Sequence, residues 1–305
     1  MASTVTTSSL STDRTSTNIT DSTLSKLPED YHTVLLVIFS VVLLCGTISL
    51  SLMMHIMKSS KTSITSIAVL NLIFAHFIFL LTVPFRIYYY TTHAWNLGFG
   101  FCKFVSGMIH IHMYMSFIFY VIILITRLMA AEQIAHFQRI HALLVSAVVW
   151  IVVLVVVPCI MYYIYGNNAH SQSSEIRNNA ICFQFGNNIE SAAKVFNYII
   201  STLIIVVATV LTGLQANVLR ILYRKHRQGC TSQQEFWAQL KSLCFALIMV
   251  VCFIPYHLFR LYYLENLELQ SVNEVFLSLT TFNCLDMLTF LGRRTCYTCF
   301  PGKAV

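Results

Sequence analysis

CKFVSGMIHIHMYMSFIFYVIILITR, residues 102–127, carries no charged side chain between Lys103 and Arg127. Wound as a helix at about 1.5 Å per residue, the stretch from Cys102 to Arg127 is ~37 Å long, more than the ~30 Å of bilayer hydrocarbon. A single rod of this kind holds a cysteine at one membrane face and a guanidinium at the other. Working outward from it, six further apolar stretches of spanning length lie at residues 34–57, 64–90, 142–164, 195–222, 237–263 and 272–291, with the central rod assigned to 103–127. The expected fold is therefore an all-α membrane protein, a bundle of seven transmembrane helices. An odd number of crossings puts the two chain ends on opposite sides.

Composition points the same way. With 57% hydrophobic residues, 10% charged residues and a mean hydropathy of +0.70, the 305-residue chain is unlike a soluble domain. Three segments follow: a Ser/Thr-rich tail (1–30), the helical domain (31–291) and a short tail (292–305). The first 30 residues hold fifteen Ser or Thr and no apolar core, so no cleavable signal peptide is expected and the first helix serves as insertion signal. If the N-terminus is outside, twelve of the nineteen Lys and Arg fall on the cytoplasmic side and nine of the twelve acids fall outside. The positive-inside bias thus favours N-out, C-in. The net charge of +7 is explained by this inner collar, and nucleic-acid binding is not required. In that orientation the sequon at Asn18 lies outside, as an expected glycosylation site.

The ten cysteines sort by position. Five lie in the spans, and Cys230, Cys296 and Cys299 on the inner side, leaving Cys102 and Cys182 outside. A disulfide between these two is expected, tying the loop after the fourth span to the head of the third; two free thiols are the alternative. Cys296 and Cys299, beside Arg293 and Arg294, are candidate palmitoylation sites.

Several landmarks in order (Cys102, Arg127, Trp150, Pro158 and Cys252-Phe253-Ile254-Pro255) give the chain a resemblance to the rhodopsin-like (class A) G-protein-coupled receptors across all seven spans. Within that family, Thr82-Val83-Pro84-Phe85-Arg86-Ile87-Tyr88-Tyr89-Tyr90 and Phe253-Ile254-Pro255-Tyr256-His257-Leu258-Phe259-Arg260 resemble the purinergic-type branch. His110-Ile111-His112-Met113-Tyr114 and Gln234-Glu235-Phe236-Trp237-Ala238-Gln239-Leu240-Lys241 are similar to an orphan member of it. The resemblance implies a plasma-membrane receptor that couples an extracellular ligand to a heterotrimeric G protein, with arrestin and membrane lipid as further partners. It implies a switch built from Thr126, Arg127, Glu235, Phe253 and Pro255, in which Glu235 pairs with Arg127 at rest. Glu235 also completes a capping-box pattern with Ser232, and Arg127 alone could be an interfacial snorkelling arginine.

The departures from the family pattern are specific. Thr126-Arg127-Leu128 stands where Asp-Arg-Tyr is usual, and Asp286-Met287-Leu288-Thr289-Phe290 stands where Asn-Pro-x-x-Tyr is usual. Helix 5 has no proline. His76 occupies the position of a sodium-binding aspartate. A carboxylate deep in hydrocarbon needs a partner or a proton, so Asp286 is expected to pair with His76 with Ser116 nearby, which predicts signalling insensitive to sodium. The alternative is a neutral His76 beside a protonated Asp286.

The outer halves offer Arg86, Tyr89, His110, Tyr114, Tyr256, His257 and Arg260 as ligand-binding candidates. Arginines suit carboxylate or phosphate and aromatics a flat or apolar portion, so a small anionic organic molecule, nucleotide-like or a lipid acid, is expected. Arg260 has an alternative role in pairing with Glu265, Glu268 or another outer acid. Other classes are less well supported. An enzyme using His110 and His112 on a metal lacks a third ligand at helical spacing, and residues two apart on a helix point to different sides. No catalytic residue, metal or cofactor is therefore expected. A retinal sensor lacks a lysine in 272–291. A transporter would show repeats or more membrane charges than Asp286. The serious rival is an atypical receptor of the same fold: a scavenger, an arrestin-biased receptor or a heterodimer partner.

Overall fold

The computed structural model describes residues 27–58, 64–131, 139–166, 182–183, 191–227 and 233–286. Asn18, Cys296 and Cys299 lie outside the described residues, as do the tail segments 1–26 and 292–305 and the side chain of Glu235. The described chain is helical: α1 (Leu27–Lys58), α2 (Ile64–Thr92), α3 (Phe99–Ala131), α4 (Arg139–Gly166), α5 (Ser191–Arg227), α6 (Gln233–Tyr263) and α7 (Gln270–Leu279). A 3-10 turn, Leu267–Leu269, precedes α7, and a longer one, Thr280–Leu285, follows it. Helices α1 to α6 are each long and apolar enough to cross a membrane. Most overshoot the apolar stretches read from the sequence, α3 at 33 residues and α5 at 37. Their polar ends extend beyond ~30 Å of hydrocarbon.

The side-chain distribution is that of a lipid-immersed bundle. Val251 is 70% exposed and Leu44 65%, whereas Asp286 is 0% exposed and His76 1%. Apolar faces point to lipid and polar side chains point inward, where they find partners. The rod proposed from residues 102–127 is the hub: α3 packs on α2, α4, α5, α6 and the 3-10 turn after α7. Its start is set by Gly98, whose φ of +86° takes the chain through a left-handed turn that glycine adopts without strain. Asn71 of α2 pins α4 by donating to Ser146 Oγ (3.1 Å) and accepting from Trp150 Nε1 (2.9 Å).

Where the sequence lacks a proline in the seventh span, the backbone tightens into 3-10 geometry. Ser278, Thr280 and Thr281 each donate a hydroxyl hydrogen bond to the carbonyl three residues earlier, and Asp286 N–H donates to Asn283 O at 2.9 Å. This turn aims Cys284 and Asp286 into the bundle. A Cβ added at Gly46 of α1 would come within 3.1 Å of Leu80 Cδ2 and 3.7 Å of Cys284 Cβ, so the missing side chain lets α1 approach closely there.

Candidate functional site

At one end of the bundle Cys102 and Cys182 form a disulfide, Cα atoms 5.9 Å apart across 80 residues of chain. The next residue, Phe183, has φ +68°, uncommon for a bulky side chain, and is 3% exposed. Its ring meets Tyr89 at 5.1 Å and Trp95 at 5.7 Å, and lies 4.5 Å from the centre of the Arg86 guanidinium. Arg86, on α2, is 0% exposed. Its Nη2 donates to the carbonyls of Val105 (3.2 Å) and Ser106 (3.5 Å) on α3, but Nε and Nη1 have no hydrogen-bond partner among the described residues. A cavity of about 140 Å³ is lined by Phe183 together with Tyr31, Gln270, Ser271 and Glu274.

The α5–α6 seam borders the same end. His257 and Arg260, one turn apart, both turn toward α5: His257 Nδ1 lies 3.1 Å from Ser201 Oγ, and Arg260 donates to Asn197 Oδ1 from Nε and Nη2 at 3.4 and 3.3 Å. Arg260 also stacks on Tyr263, with 5.1 Å between the cation and the ring. Glu265, one of the acids offered for Arg260, accepts from Tyr198. His110 is half-buried and near enough to Arg86, His257 and Arg260 to feel their charges, while Glu274 feels both arginines. Tyr256 is buried edge-on to His257 at 4.9 Å, and Tyr114 is half-buried on α3. Arg86, His110, His257, Arg260 and Glu274 thus share one electrostatic neighbourhood.

Near the centre of the bundle His76 Nε2 lies 3.5 Å from both carboxylate oxygens of Asp286. Tyr120, one turn beyond Ser116 on α3, donates to Asp286. Ser116 Oγ has no hydrogen-bond partner among the described residues, so the α3 group that meets the pair is Tyr120. On the other side of the imidazole, His76 Nδ1 is 2.8 Å from His112 Nε2, and Cys284 Sγ is 3.6 Å from each of those nitrogens. The partners of His112, Cys284 and Tyr120 come from α2, α3 and the turn after α7, and spacing along one helix cannot reveal them.

Phe253 of α6 is fully buried, edge-on to Phe117 (5.8 Å) and Tyr120 (6.2 Å), two residues before Pro255. At the other end of α3, the Arg127 guanidinium is half-buried and has no partner among the described residues. Thr126 donates its hydroxyl to Ile122 O within its own helix, so it places no restraint on the arginine. The link from α3 to α6 comes from Gln239, whose Nε2 reaches Arg127 O at 3.5 Å and whose Oε1 accepts from the buried Gln215 of α5 at 2.7 Å. Gln239 lies one turn past Glu235, inside a motif that the sequence did single out.

The family described as 7 transmembrane receptor (rhodopsin family) matches residues 49–289. The chain is 38% identical to Probable G-protein coupled receptor 141 of Homo sapiens over 271 residues, 84% of this chain and 87% of that one. It is 25% identical over 283 residues to Probable G-protein coupled receptor 34 of Mus musculus, covering 85% and 73% of the two chains. It is 28% identical over 224 residues to G-protein coupled receptor 171 of Rattus norvegicus, covering 71% and 66%. Seven helices around a central α3, the disulfide at its head and a match over most of the length agree: the chain belongs to the rhodopsin family of seven-transmembrane receptors and is a multi-pass plasma-membrane protein.

Proposed function

We propose that the chain transduces binding of a small anionic organic molecule, nucleotide-like or a lipid acid, at the disulfide end into engagement of a heterotrimeric G protein at the Arg127 end. The disulfide end and the Asn18 tail face outward in this reading. The observation that carries it is Arg86. A guanidinium with 0% exposure whose Nε and Nη1 have no hydrogen-bond partner among the described residues is costly in a low-dielectric interior, and a carboxylate or phosphate accepting from it would offset that cost. Tyr89, Phe183 and Tyr256 supply aromatic surface for the rest of such a ligand, and His110, His257 and Arg260 add positive charge near by.

The lever is α6. A ligand touching Tyr256, His257 and Arg260 bears on Phe253 one turn below, and so on Tyr120 and Asp286. Motion of α6 about Pro255 would break the Gln239 contact to α3 and free Arg127 for the G protein, a two-state equilibrium biased from either end. His76 facing Asp286 supplies the positive charge a sodium ion would otherwise bring, so signalling is insensitive to sodium in this reading. His76→Asp should introduce a sodium response, and an unchanged response would remove this part. Arrestin recruitment, glycosylation at Asn18 and palmitoylation at Cys296 and Cys299 belong to the same reading, and no catalytic role is proposed.

The test is a G-protein recruitment assay in cells, covering each G-protein class, with native chain, Arg86→Met and Arg127→Ala exposed to panels of nucleotides, lysophospholipids and fatty acids. A response lost in both variants at equal surface expression supports the proposal. No basal or evoked recruitment in any class favours the atypical receptor, a reading that the intrahelical hydrogen bond of Thr126 supports.

A further inference from the structure

His76 on α2, His112 on α3 and Cys284 on the turn after α7 turn their ligand atoms toward one another, all within 4.8 Å. All three side chains are 2% exposed or less. We propose that they form a transition-metal site, for Zn²⁺ or a cation of similar softness, that clasps these three segments inside the bundle.

The donor set is two imidazoles and a thiol, which selects zinc-like ions over sodium, calcium or magnesium, whose ligands are oxygen. Tetrahedral bonds of about 2.0 Å to nitrogen and 2.3 Å to sulfur set ligand atoms ~3.3–3.6 Å apart. Both sulfur–nitrogen separations are 3.6 Å. Only the imidazole pair, at 2.8 Å, must open, by ~0.5 Å on the same geometry. Behind His76 the arrangement is also that of a metal centre. A ligating imidazole turns its other nitrogen to a carboxylate, which fixes ring and tautomer, and His76 Nε2 faces Asp286, itself held by Tyr120. Ser116 Oγ, buried and without a partner among the described residues, one turn along α3 from His112, offers a fourth donor, with water as the alternative.

Charge closes on the same set. The ion must displace the proton shared between His76 Nδ1 and His112 Nε2 and the thiol proton of Cys284. Both leave to solvent as it binds, so two positive charges leave, the two of Zn²⁺ arrive, and the net charge of the cluster is unchanged. The metal keeps its oxidation state throughout.

The test uses the full chain, stripped with a chelator, placed in lipid nanodiscs and titrated with Zn²⁺ against a chromophoric competitor, with Na⁺ and Mg²⁺ in parallel. One tight site per chain is expected, blind to Na⁺ and Mg²⁺. Its affinity should fall at least ~10-fold in Cys284→Ser and His112→Gln and by about 10–100-fold in Asp286→Asn. It should persist in His93→Ala, which removes the other close imidazole pair, His32 and His93. Independently of whether the variants fold, Co²⁺ bound to the native chain should give a thiolate-to-metal charge-transfer band. Absence of a tight site, absence of that band, or binding retained in Cys284→Ser and lost in His93→Ala would overturn the proposal.

Discussion

Two buried charges, Arg86 near the disulfide and Asp286 at the centre, are equally hidden from solvent at 0% exposure, yet the chain treats them differently. Asp286 is met by Tyr120 from α3 and His76 from α2, with His112 behind the imidazole. Arg86 has two carbonyls on one nitrogen, aromatic faces at 4.5 and 5.4 Å, the carboxyl of Glu274 in its electrostatic neighbourhood, and an Nε and Nη1 without hydrogen-bond partners among the described residues. The difference separates a polar network that holds helices together from a polar group kept available for something that arrives. Buried networks confer order when their members are paired, and an unpaired member is a standing cost unless a ligand removes it.

The strongest way to break this comparison is to delete the paired charge. Asp286→Ala leaves Tyr120 and His76 facing each other without a counter-charge, and a loss of about 3–5 kcal/mol is expected, read as a lower unfolding midpoint in lipid nanodiscs. Breaking the disulfide with Cys182→Ala should cost about 2–5 kcal/mol, and it also releases Phe183 from Arg86. Loss of evoked signalling at equal surface expression would check the second effect. Phe183→Leu keeps an apolar side chain in place but removes the cation–π contact, and should cost about 0.5–2 kcal/mol, with evoked signalling weakened more than unfolding is shifted. The smallest structural effect is expected at the far end. Gln239→Leu removes one buried hydrogen-bonding group, about 1 kcal/mol, yet should raise basal G-protein recruitment because it loosens α6 from α3. Unchanged basal output in Gln239→Leu would place the resting restraint elsewhere, Glu235 being the first alternative.

How much was legible beforehand follows the same division. The through-membrane α3 could be read because one apolar run between a cysteine and an arginine has a single physical solution. His76 and Asp286 were brought together in sequence by the cost of a lone carboxylate in hydrocarbon, an argument that needs no geometry. The rest of that cluster was not legible. His112 sat in a motif dismissed for lacking a third ligand at helical spacing, whereas the facing groups come from α2 and the turn after α7. The 3-10 turn itself was missed, since the absence of proline gave no hint that Ser278, Thr280 and Thr281 would draw the backbone tighter. Phe183 carries no sequence signal of its own beside Cys182. Gln239 lies inside the motif at 234–241, where the charge of Glu235 is the group that sequence makes visible.

The most direct measurement sets the two charges side by side: thermal unfolding of Arg86→Met and Asp286→Ala in the same nanodiscs without added ligand. A guanidinium kept for an incoming anion costs the free protein stability, so Arg86→Met should unfold at or above the native midpoint while Asp286→Ala falls well below it. If Arg86→Met falls as far as Asp286→Ala, the chain itself already satisfies Arg86, and the anion site proposed there is contradicted.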